Sequence, residues 1–292
     1  MAVLITGGSG FIGRNLVEQL SERWEILAPS HSQLDLLDDV GVRRFVRSHP
    51  VDAIVHCATK PGHRNAKDPT GLLDANTRMF FNLAGCTGES TRFIFLSTGA
   101  VYDIRHYKPR MPEEYFDKHV PQDETGYSKY ICAKYLAKMP NAVELRPFGV
   151  FGKHEDWEIR FISNAICKVL HHLPVTIKRN RRMDYVYIDD LVRVVEHFLT
   201  ATPSRSAYNV TSDETYELLD LARRVAAIAE DHPPIKILAS GMDPEYSGDN
   251  ARLHEELPGL AFTPIDAAIR ELYDWYAGRK SLVDPELLLH DK

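Results

Sequence analysis

The stretch Thr6-Gly7-Gly8-Ser9-Gly10-Phe11-Ile12-Gly13 stands between a short apolar strand pattern and an amphipathic helix pattern. Glycine at 7 permits a tight turn, at 10 lets a diphosphate approach the backbone, and at 13 lets helix and strand pack closely. The helix that follows offers unpaired N–H groups and the positive end of its dipole to an anion. Strand, glycines, helix and a second strand in that order point to a bound dinucleotide, held at Gly7, Gly10, Phe11, Ile12 and Gly13.

The second strand should name the dinucleotide. An acid at its end would bond the ribose hydroxyls of NAD. The chain reads Leu27-Ala28-Pro29-Ser30-His31-Ser32 there, with no acid. Ser30 and His31, with Arg14 just past the glycine loop, suit a 2′-phosphate instead. This favours NADP(H), with NAD(H) as the alternative.

A second ligand with a diphosphate would need cations. Lys178-Arg179-Asn180-Arg181-Arg182 is the densest basic run. Arg182 is the foremost candidate for that contact, with Arg179 and Arg181 behind it; the bland alternative is a solvated basic loop. Arg252 is a weaker candidate, and Lys60, Arg64 and Lys67 form a further basic loop. No metal site is expected, because the 13 histidines are scattered and Cys57, Cys86, Cys132 and Cys167 lack ligand spacing. The same spacing suggests free, mostly buried thiols and a reducing, cytoplasmic setting.

These residues must be positioned by elements that the hydropathy pattern predicts. Strands are expected at 2–6, 24–28, 52–57, 92–97 and 142–146, and helices at 11–20, 40–47, 76–85 and 128–139. The alternation implies an α/β fold with a doubly wound parallel sheet. The later chain reads as helix 157–170, strand 175–178, helix 189–199, strand 207–210, and helices 215–229 and 264–276. The expected plan is a dinucleotide-binding domain over 1–152. A smaller substrate-binding lobe over 153–280 interleaves with the end of the main sheet, and a peripheral tail spans 281–292.

The chain has 292 residues, 44% of them hydrophobic, and 41 Asp+Glu against 35 Lys+Arg for a net charge of −6. That hydrophobicity excludes an intrinsically disordered chain, and the acidity argues against a general nucleic-acid binder. No run approaches the length of a membrane span, and the first residues lack the charged and apolar regions of a signal peptide.

With these residues in view, the chain resembles the extended short-chain dehydrogenase/reductase family, whose members are NAD(P)-dependent epimerases, dehydratases and reductases of nucleotide sugars. The resemblance covers about residues 2–277. It rests on the glycine loop, on Asp35-Leu36 as the pair that meets the adenine, and on His56-Cys57-Ala58, in which Ala58 lines the cofactor. Asn76, the segment 96–102, the segment 146–152, the segment 184–190 and Tyr208-Asn209-Val210 match in order. The resemblance implies a Rossmann sheet with a smaller C-terminal lobe, and a homodimer through helices around 78–87 and 125–139.

In this family a Ser/Thr, a Tyr and a Lys four residues after that Tyr do the chemistry. Thr98 fits the first position. Lys129 fits the last, inside Gly126-Tyr127-Ser128-Lys129, and would also bond the nicotinamide ribose. The position four before Lys129 is Thr125, not Tyr. A Thr hydroxyl is shorter and a far weaker acid than a phenol. Tyr127 should point elsewhere on the helix, and the pair Tyr130/Lys134 would abandon the register.

Among relatives, Gln33 to Asp38 and Ala58 to Gly62 look most like the GDP-fucose synthases. Those enzymes pair a Cys with a His for epimerisation at C3 and C5, where this chain has Ala100 and Arg160, which the resemblance places among the substrate-binding residues. The resemblance therefore implies 4-keto reduction, C4 oxidation or C4 epimerisation of a nucleotide-linked sugar, without nucleic-acid or membrane partners. The rival reading, motivated by Thr125, is a non-catalytic NAD(P)-binding sensor or scaffold.

Overall fold

A computed structural model of the chain describes residues 1–88 and 90–290. The first half alternates strand and helix: β1 (Ala2–Thr6), α1 (Phe11–Leu20), β2 (Glu25–Leu27), α2 (Asp39–Ser48), β3 (Ala53–His56), α3 (Leu72–Ala84), β4 (Arg92–Leu96), α4 (Glu124–Leu136) and β5 (Ala142–Pro147). The second half runs β6 (Val150–Phe151), α5 (Phe161–Leu170), β7 (Val175–Asn180), β8 (Arg182–Asp184), β9 (Val186–Tyr187), α6 (Ile188–Thr200), β10 (Ala207–Val210), β11 (Thr215–Glu217), α7 (Leu218–Ala226), β12 (Ile235–Met242), α8 (Ala251–Glu256), α9 (Ile265–Ala277) and α10 (Pro285–Leu288).

Six strands form one parallel sheet in the order β10-β5-β4-β3-β1-β2. From β1 the chain steps outward to β2, then back across to β3 on the other side. The strand order reverses between β1 and β3, and a crevice at the carboxyl ends of these strands is where open α/β sheets bind ligands. The strands read as continuous apolar runs because both faces are covered. One face packs on α1 and α6 through Leu16 and Val194, and the same core continues into α5, α7 and α9 through Ile166, Leu221 and Leu272. The other packs on α2, α3 and α4 through Val42, Phe80, Leu83, Cys132 and Leu136. Each such fully buried aliphatic or aromatic side chain contributes about 1.5–3 kcal/mol.

Behind the sheet's carboxyl ends a buried polar frame ties β5 and β10 to the segment that follows β4. Arg146 on β5 donates to the Glu144 carboxylate at 2.6 Å and to the Tyr102 phenol at 2.8 Å. Tyr102 donates to Asn209 Oδ1 on β10 at 2.8 Å, and Asn209 donates to the carbonyls of Met111 and Asp249. Arg146 therefore supports the frame, and Phe116 covers its guanidinium at 4.3 Å.

Three sequence expectations need correction. Thr215–Glu217, expected as the start of a helix, pairs antiparallel with β8, so α7 starts only at Leu218. Tertiary pairing overrides local helix preference there. The basic run is not the solvated loop of the alternative reading, because strand extends past 178 on both sides of Arg181: β7 pairs with β12 and β8 with β11. The tail from Ser281 is not peripheral throughout, since Val283 and Leu288 are buried in the larger core. Among the described residues, no helix is long and apolar enough to cross a membrane. The four cysteines are free, with Cys132 and Cys167 buried and the other two half-buried.

Candidate active site

The crevice begins where β1 ends. Gly7 adopts φ +71°, and a Cβ there would lie 2.8 Å from the Ala58 backbone just past β3. A Cβ on Gly13 would lie 2.2 Å from the Gly7 carbonyl oxygen. No side chain could be accommodated at either position without moving backbone, so the loop folds tightly against the β3 end and brings Ala58 to the mouth. Gly10 precedes α1 with no side-chain cap, so the first N–H groups of the helix lack a side-chain acceptor. Phe11 and Ile12 are half-buried and Arg14 is exposed, paired with Glu18 at 2.9 Å.

The end of β2 supplies Ser30 and His31, both exposed. Ser30 bonds Gln33 and Ser32 within its own turn. Asp35 is exposed beside His31 and accepts from the Leu37 N–H at 2.9 Å, while Leu36 is buried. His56 is buried, bonded to Thr6 Oγ1 at 2.8 Å, and pushed down to about 3 by burial first and Lys129 second; it is a neutral structural histidine. These residues form a glycine cradle, an open helix end and a polar rim. They fit a dinucleotide diphosphate and adenosine.

Asp123 caps α4 by accepting from the Gly126 N–H at 2.7 Å, and so sets the register of Thr125 and Lys129. Lys129 is buried. Its Nζ donates to the Leu96 carbonyl at 3.0 Å and lies 4.5 Å over the Phe95 ring. Burial lowers its pKa. Thr125 turns toward the 58–71 loop: a Cβ built on Gly62 would sit 3.0 Å from its hydroxyl. Thr98, at the end of β4, accepts from the Ala100 N–H at 3.2 Å. Beside it the Ser97 hydroxyl is buried with no partner among the described residues.

Thr98 opens onto a cavity of about 580 Å³. Its wall carries the cations Arg64, Arg160, Lys178, Arg179 and Arg181. The acids there are Glu155, Glu158 and Asp243. Glu155 is buried and donated to by Ser163 at 2.6 Å, and burial pushes it up to about 8, so it is largely uncharged at neutral pH. The cavity is therefore net positive in a net negative chain. Arg160 is central: its charge reaches Arg64, Glu155, Tyr185 and Tyr246.

Arg160, Arg179 and Arg181 thus come together with Thr98, but three other candidates do not line this cavity. Arg182 is drawn off by Glu217 and Thr215, Arg252 by Glu114 and Glu113, and Lys60 by Asp68 at 2.6 Å. Alternation explains Arg182: its neighbours Arg181 and Met183 line the cavity, so Arg182 stands on the opposite face, beside its cross-strand partner Glu217. Ala100 is half-buried behind Thr98. Sequence reasoning missed Glu155 and Tyr246 on the wall, and met Phe148 and Tyr185 only as members of matched segments. Tyr246 follows a strand whose weak alternation gave no signal. Among the described residues no cluster of three His, Cys, Asp or Glu could hold a metal.

A parallel sheet with a glycine cradle at its strand-order reversal defines a dinucleotide-binding α/β protein. The profile of the NAD dependent epimerase/dehydratase family matches residues 3–211, and the chain belongs to that family. It is 33% identical to the GDP-L-colitose synthase of Yersinia pseudotuberculosis over 78% of this chain and 82% of that protein. It is 36% identical to the GDP-L-fucose synthase of Azorhizobium caulinodans, over 48% of each chain. In fold it is similar to the UDP-glucose 4-epimerase of Thermotoga maritima solved with UDP-glucose. The TM-score is 0.80 at 21% identity, over 97% of this chain and all of that one.

Proposed function

We propose that the chain is an NADP(H)-dependent oxidoreductase or epimerase of a nucleotide-linked sugar, acting at the sugar's C4 by reduction, oxidation or epimerisation. The observation that carries this reading is the net positive cavity opening at Thr98, beside the glycine cradle. NAD(H) remains the alternative cofactor. Gly7, Gly10, Phe11, Ile12 and Gly13 would hold its diphosphate, Asp35 and Leu36 its adenine, and Ala58 and Lys129 its nicotinamide half. Ser30, His31 and Arg14 would meet a 2′-phosphate. When bound, the cofactor supplies hydride exchange.

Arg160 and Arg179, with Arg181, would bind the sugar nucleotide's diphosphate. Thr98 would donate a hydrogen bond to the reacting sugar oxygen and polarise it. Thr125 replaces the family's tyrosine, and its hydroxyl is too weak an acid to fill that role. That replacement also motivates the second reading, a non-catalytic NAD(P)-binding sensor.

A panel of UDP-, GDP-, dTDP- and ADP-sugars assayed for turnover with NADP(H) and NAD(H), alongside thermal shifts, tests the reading. Turnover of one sugar nucleotide is expected. A shift with cofactor alone, and none with any sugar nucleotide, would favour the sensor.

A further inference from the structure

The phenol absent at position 125 has a replacement elsewhere in the chain. Tyr246 lies between β12 and α8. Its N–H donates to the Arg182 carbonyl at 3.0 Å, and it bridges to Met183 on β8. Its ring packs on Phe148 and Tyr107, with centroids 4.9 and 5.1 Å away. So clamped, Tyr246 lines the cavity together with Thr98, and the hydroxyls of Thr98 and Tyr107 are near enough to pull its phenol pKa down.

Gly99 makes this approach feasible. A Cβ there would lie 2.8 Å from the Tyr246 hydroxyl and 2.7 Å from the Phe148 ring. Any side chain at 99 would push the phenol away from Thr98.

The proton order follows from the partners. Tyr107 donates its single proton to the Gly99 carbonyl. The Tyr107 oxygen is thereby left to accept from Tyr246, and the single proton of Thr98 stays available for the sugar oxygen. Tyr107 is half-buried between exposed His106 and Lys108, which gives the inner phenol a route to solvent.

We propose that Tyr246, not a residue of α4, is the catalytic proton donor and acceptor, acting on the sugar oxygen that Thr98 polarises. The inference rests on the oxidoreductase reading above. In the reducing direction the phenol O–H breaks and an O–H forms on the former carbonyl oxygen. Carbon takes its hydride, and so its two electrons, from a reduced nicotinamide nucleotide. Tyr107 then passes its proton to the Tyr246 oxygen and is itself reprotonated from solvent. In the oxidising direction each transfer reverses. Burial pushes Tyr246 up to about 12, against the pull of the Thr98 and Tyr107 hydroxyls, so the resting phenol is protonated and ready to donate.

The test uses the full chain labelled with [13Cζ]tyrosine, with the Tyr246 resonance assigned by its loss in Tyr246→Phe. NADP+ and NAD+ are the probes, titrated against pH. The cofactor's positive ring should lower the Tyr246 ionisation by roughly one pH unit or more, while exposed Tyr127 stays in place. A Tyr246 signal indifferent to bound cofactor would overturn the proposal whatever the substrate is. With the sugar nucleotide that the wild type turns over, Tyr246→Phe should lower kcat about 100-fold and move KM less than about threefold. Activity within threefold of wild type would also overturn it. Phenylalanine keeps the ring packing; should that variant nevertheless fail to fold, Tyr107→Phe is expected to lower kcat about tenfold and shift the alkaline limb of the pH profile for reduction. An unchanged profile in Tyr107→Phe would overturn the proposal. A cofactor-sensitive Tyr246 in a protein that turns over no sugar nucleotide supports the phenol's placement and refutes the substrate reading alone. Failure of both cofactors to bind would overturn both.

Discussion

Thr6 to Gly13 form their cradle from one stretch of chain, whereas the cavity beside Thr98 draws Arg64, Arg160, Arg179 and Tyr246 from four separate segments. The cradle depends on what is missing, namely the side chains of Gly7 and Gly13. The cavity depends on which cations the folded chain turns onto one wall, where Arg179 and Arg181 share Asp243, and which it pairs with acids elsewhere. Local steric rules are written in consecutive residues. Rules of competition for partners appear only when the chain has folded.

Breaking the cradle should produce the largest effect. Gly13→Ala sets a methyl 2.2 Å from the Gly7 oxygen, and should weaken NADP+ binding by more than about 100-fold, or about 2.7 kcal/mol. Fluorescence titration checks this, and an unchanged Kd would detach the loop from cofactor binding. Arg160→Ala should raise KM for the sugar nucleotide by about tenfold while leaving the cofactor Kd within about twofold. A change in both constants would erase the separation between the two regions.

The cavity's acid gives a smaller effect with a defined sign. Glu155 is raised in the fold from 4.5 to about 8, chiefly by burial. Between those values the unfolded chain has lost this proton and the native chain keeps it, so stability falls as pH rises. Glu155→Gln should leave Tm nearly unchanged at pH 5 and raise it by about 2–4 °C at pH 8. Equal shifts at both pH values would mean that burial does not hold the proton there. Smallest of all, Arg182→Ala should alter KM by less than about twofold, because Glu217 and not the cavity holds that guanidinium.

The same contrast explains what could be read from sequence. The order of strands and helices through β5, and the whole cradle, were legible because hydrophobic period and glycine spacing are local signals. Arg182 seemed the foremost cation because it sits in the densest basic run. Strand alternation and Glu217 moved it away, and neither can be seen without the β8–β11 pairing. Arg160 enters the substrate-binding candidates only through its match to the family's histidine, and its place just before α5 puts it on the cavity wall. Tyr246 was silent because its strand neighbours alternate weakly and its partners Thr98, Gly99 and Tyr107 are far away in sequence.

The late position of Tyr246 has a consequence for how the protein is made. Synthesis delivers the glycine loop first, Thr98 and Lys129 next, and the phenol only when residue 246 has left the ribosome. A chain growing from its N-terminus therefore has every residue of the cradle long before it owns a proton donor. On the proposed roles, nucleotide capture and chemical competence would be acquired in that order.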